Sequence, residues 1–68
     1  MLSLDDIDES LKQQQKEQRL GNLKAQWFEY YMNKIQFEAN GMSANAQAAQ
    51  KKMDELQISY DAVLNIEV

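Results

Sequence analysis

With no His and no Cys in the sequence, carboxylates and serine hydroxyls are the first side chains to weigh for acting on a substrate. A serine nucleophile needs an adjacent base to take its proton, and Ser3, Ser10, Ser43 and Ser59 have no imidazole to supply it. Paired carboxylates could do acid–base work, but Asp54 and Glu55 are sequence neighbours, and neighbours on a helix point in different directions. They read as a solvated face. There is no Gly-rich phosphate loop and no calcium-loop spacing. A zinc site would lack thiolate and imidazole ligands. The expectation is a protein that is not an enzyme, with no cofactor and no metal.

The acidic cluster Asp5, Asp6, Asp8 and Glu9 has two readings. Carboxylates in a first helical turn complement the positive end of the helix. Ser3 with Asp6 three residues on resembles a capping box, with Asp in place of the usual Glu. The same four residues could instead form an acidic docking patch for a basic partner.

Composition narrows the remaining classes. The 68-residue chain is long enough for one domain and near the size where a single core barely offsets chain entropy. With no disulfide or metal to help, stability must come from good helix packing or from a partner chain. Seven basic and eleven acidic residues give a net charge of −4, which argues against wrapping nucleic acid. No apolar run approaches the roughly 20 residues of a membrane span, and acidic character disfavours a membrane-surface helix. The segment Met1-Leu2-Ser3-Leu4-Asp5-Asp6 lacks the basic and apolar regions of a secretory signal. A cytoplasmic protein is expected, with a place in a virion as the alternative.

These residues must be carried on helices. The chain has no Pro, two Gly and many Gln, Lys, Glu, Leu, Met and Ala. The predicted fold class is all-α, an antiparallel helical hairpin assembling into a helical bundle. A long first helix starts near Ser3, and Leu4, Ile7 and Leu11 form a thin apolar seam before the polar stretch Lys12 to Arg19. Residues 1–19 read as a polar helical arm and 20–66 as the hairpin, within a single domain of 1–68. Gly21-Asn22 could break the helix. Run-through is favoured, because Leu20, Lys24, Trp27 and Tyr31 keep one face in phase across it.

Asn40-Gly41 is a helix stop, since Gly takes the left-handed conformation without a Cβ penalty. Ser43 or Asn45 is expected to cap the second helix. In that helix Ala46, Ala49, Met53, Leu56, Tyr60 and Val63 follow three-four spacing, a heptad seam. Small residues near the turn and large ones at the far end predict close approach at the turn and outward splay.

Five of the six aromatics fall between Trp27 and Phe37. At 100° per residue, Leu20, Trp27, Phe28, Tyr31 and Ile35 share one side, continued by Met32 and Ala39. Leu23, Tyr30 and Phe37 lie round the flank, and Asn22, Gln26, Glu29, Asn33 and Gln36 make a polar strip. The apolar arc is wider than the roughly 100° one partner helix needs. It reads either as the core of a small bundle or, in part, as an interface, where Trp and Tyr are enriched.

The leading expectation is a non-catalytic coiled-coil-like module for oligomerisation or adapter binding. Its partner is protein, either a second copy in a four-helix bundle or a larger protein, with no direct nucleic acid and no membrane. The partner-binding residues are Leu20, Trp27, Phe28, Tyr30, Tyr31, Ile35, Met53, Leu56 and Tyr60. One alternative is a small acidic inhibitor or accessory protein, of the kind phages and mobile elements carry, docking through Asp5, Asp6, Asp8 and Glu9. Another is a structural subunit of a large assembly such as a virion.

Overall fold

In the computed structural model, residues 2–67 are described. Their α-helices are α1 (Glu9–Ala39) and α2 (Ser43–Leu64), packed against each other as a hairpin and preceded by a 3-10 turn at Leu4–Asp6. The expected all-α hairpin is what forms. It is long and thin, with extents of 52 × 19 × 16 Å. Its radius of gyration is 16.2 Å, against about 11 Å for a compact domain of this length.

The turn is built as its sequence predicts. Gly41 has φ +70 and is the one described residue with positive φ. The Met42 N–H donates to Phe37 O at 2.8 Å and the Gly41 N–H to Glu38 O at 3.1 Å. Those two bonds define a Schellman stop, which satisfies carbonyls the helix end would otherwise leave open. Asn40 adds a side-chain bond from Nδ2 to Gln36 O at 2.9 Å.

Two boundaries differ from expectation. Helix α1 begins at Glu9, because Ile7 takes an extended conformation (φ −114, ψ 129) and interrupts the helical path. The Ser3–Asp6 capping box does form, with the Ser3 N–H 2.9 Å from Asp6 Oδ2, but it closes the 3-10 turn. Helix α2 is not capped by Ser43 or Asn45. The Schellman turn is tight enough that Met42 is the N-cap and Ser43 the first helical residue. Gly21 does not break α1, which runs continuously through it.

The seam of α2 is the expected one. Ala46, Ala49 and Met53 are the buried residues among those described. Leu56, Tyr60 and Val63 follow, half-buried. Burial therefore falls from the turn toward the open end. No described helix is long and apolar enough to cross a membrane.

Candidate interaction surface

The side of α1 that meets α2 is fixed by its burial pattern. Lys16, Leu20, Leu23, Trp27, Tyr30, Lys34 and Phe37 are half-buried, in alternating steps of four and three. This is a heptad seam facing that of α2. It corrects the wheel: Leu23, Tyr30 and Phe37 are inward, not flanking, whereas Phe28, Tyr31 and Ile35 are outward. An average 100° wheel spread the apolar arc over both groups, and it carried no information on where α2 would sit.

Polar atoms punctuate the seam. Lys34 Nζ donates to Gln50 Oε1 at 2.7 Å, and Gln50 Nε2 in turn donates to Asp54 Oδ1 at 2.9 Å. A lone polar side chain at a seam position costs stability but fixes register. Nearer the open end, Lys16 Nζ donates to Ile66 O at 2.7 Å. The Lys24 ammonium lies 5.7 Å from the Tyr60 ring centroid, a cation–π approach across the two helices. Beside it, Leu23, Trp27, Leu56 and Tyr60 line a shallow groove of about 320 Å³.

The nine residues expected to bind a partner therefore divide. Leu20, Trp27, Tyr30, Met53, Leu56 and Tyr60 lie at the α1–α2 seam, and Phe28, Tyr31 and Ile35 face away from it. Aromatic stacking bridges the groups: Trp27 on Tyr31 at 5.7 Å, and Tyr31 on Phe28 at 6.1 Å. Asp5, Asp6, Asp8 and Glu9 are all exposed, and the Asp6 carboxylate is engaged by Ser3.

The outward residues form a surface. Phe28 is 54% exposed, Met32 43%, Ile35 46% and Tyr31 39%. Monomeric proteins scatter exposed large apolar residues singly; four together on one helix face mark a binding surface or an aggregation risk. Met32, which continues the same side of the wheel as Phe28 and Ile35, belongs to this surface. Among the described residues, no group of three or more His, Cys, Asp or Glu is placed to hold a metal ion.

No protein-family model, no curated protein and no solved structure matches the chain.

Proposed function

We propose that this chain is a non-catalytic helical interaction module whose docking surface is the outer face of α1. Phe28, Tyr31, Met32 and Ile35 are its contact residues, and the α1–α2 seam is the scaffold that holds them in line. The observation that carries the reading is their joint exposure beside a core that, among the described residues, consists of Ala46, Ala49 and Met53. Burial of apolar area is the main favourable term in both folding and association. A hairpin with so small a core gains little from folding alone, and the uncovered face supplies what is missing when a partner chain covers it.

The function on this reading is assembly: joining protein chains through a rigid, narrow helix face. The test is Met32→Glu together with Ile35→Glu. Both side chains are outward, so the hairpin should keep its helical circular dichroism while the chain loses whatever protein it associates with. Retention of every associated chain by the folded double variant would refute the docking surface.

A further inference from the structure

The outer face of α1 carries a second heptad seam. Gly21, Ala25, Phe28, Met32, Ile35 and Ala39 follow steps of four, three, four, three and four, and all six are exposed. This seam lies nearly opposite the one that meets α2. A Cβ placed on Gly21 would meet nothing within 4 Å, so its small size serves no contact inside the hairpin.

We infer that the occupant of this seam is a second copy of the chain, docked antiparallel with a two-fold axis near Tyr31. This rests on the interaction-module reading and names its partner. The step pattern reads the same in both directions, as an antiparallel self-contact requires. Reversing one copy sets Gly21 against Ala39, Ala25 against Ile35 and Phe28 against Met32, each layer occurring twice. Bulk is greatest at the centre and tapers toward both ends. A parallel pairing would stack Phe28 on Phe28 and Gly21 on Gly21, alternating overfilled and empty layers.

Charge favours the same register. Flanking positions on one side of such a seam meet their own kind across the axis, as in any antiparallel coiled coil. Here they bring Lys24 opposite Glu38 of the second copy, twice, and Tyr31 opposite Tyr31. Lys24 and Glu38 are both exposed; within the chain Lys24 approaches the Tyr60 ring and Glu38 lies 3.8 Å from Lys34 Nζ, surface contacts that the cross-copy pairs would replace or share. The other flank sets Asn22 opposite Gln36 and one like-charge pair, Glu29 with Glu29, at the polar margin. Sliding the copies by one heptad toward the N-terminus would press Gln18 onto Ile35 and Gln14 onto Ala39. Sliding the other way leaves Gly21 beyond the partner helix.

The chain exposes 5547 Å², about 1,100 Å² more than a compact folded monomer of this mass ordinarily shows; that excess belongs to the thin hairpin as a whole, and the outer face of α1 is one part of it. Because the two seams of α1 are nearly opposite, the dimer is a four-helix layer, α2–α1–α1–α2, and not a closed bundle.

The test uses the full chain, which has no Cys of its own, so introduced thiols report alone. Sedimentation equilibrium should give a concentration-dependent dimer, and Lys24→Glu should weaken it about tenfold, with recovery in the Lys24→Glu, Glu38→Lys double variant. Under a short bismaleimide, Gly21→Cys alone should not link, since Gly21 lies about 27 Å along the axis from its own copy. Mixed with Ala39→Cys it should link. A folded wild-type monomer at every concentration overturns the inference. So does Gly21→Cys linking to itself, or a dimer whose mixed thiols stay unlinked. A monomer that still loses a different protein through Met32→Glu and Ile35→Glu would remove the second copy and leave the docking surface standing.

Discussion

Trp27 and Tyr31 stack with centroids 5.7 Å apart and planes 7° from parallel, yet they belong to different surfaces. Trp27 is half-buried toward α2 and Tyr31 is 39% exposed on the outer face. Substitutions at the two positions should therefore separate folding from association. Trp27→Ala should destabilise the hairpin by about 2 kcal/mol, below the range for a fully buried Trp because the ring is only half covered. Tyr31→Ala should cost the isolated hairpin under about 1 kcal/mol and act mainly on association. Urea titrations at low and high protein concentration distinguish the two. Equal losses at both positions in dilute protein would show that the surfaces are not distinct.

Gly41 makes the turn, and its φ of +70 is the reason. Gly41→Ala should lower stability by about 1 kcal/mol, with Gly41→Asn losing less because Asn tolerates the left-handed region. Thermal melts of the two variants against wild type check the order. An unchanged melt for Gly41→Ala would mean the turn relaxes out of the Schellman geometry.

Gly21 is the opposite case. It sits inside α1 with open space where a Cβ would go. Gly21→Ala should stabilise the dilute hairpin by up to about 1 kcal/mol through helix propensity alone, while a larger Gly21→Leu should keep that helix and weaken association by wedging the seam open. Helical content and association constants measured on the same samples decide this. Destabilisation by Gly21→Ala in dilute protein would require a contact that the hairpin does not contain.

Legibility of the sequence followed how local each cause was. The Asn40-Gly41 stop and the α2 seam from Ala46 to Val63 could be read directly, because turn chemistry and unbroken three-four spacing are properties of short segments. The phase of α1 could not. Its apolar residues cover more than half the wheel, and Lys16 and Lys34 occupy seam positions that a hydrophobic pattern skips. Only the position of α2 separates Leu23, Tyr30 and Phe37 from Phe28, Met32 and Ile35. The start of α1 falls later than the sequence predicts, because the Ser3–Asp6 box closes a 3-10 turn and the extended Ile7 follows it.

Lys34 offers a test of that seam. Its bond to Gln50 aligns the helices at one level. Lys34→Met should leave stability within about 1 kcal/mol of wild type or raise it, since an apolar replacement avoids desolvating the ammonium. The register should loosen in return. Amide spectra should then show more than one set of resonances for the residues around Gln50. A single sharp set would assign register to packing alone.

Covering of the outer face of α1 when the protein works can be reported directly by its methionines. Met32 is 43% exposed in the single chain, Met42 45% and Met53 4%. Methionine oxidation follows access to the sulfur, so the three form an internal scale. The measurement is the relative oxidation rate of each by hydroxyl-radical footprinting in the cells that make the protein. Met32 should react several-fold more slowly than Met42 and close to Met53. Met32 oxidising as fast as Met42 would contradict that covering.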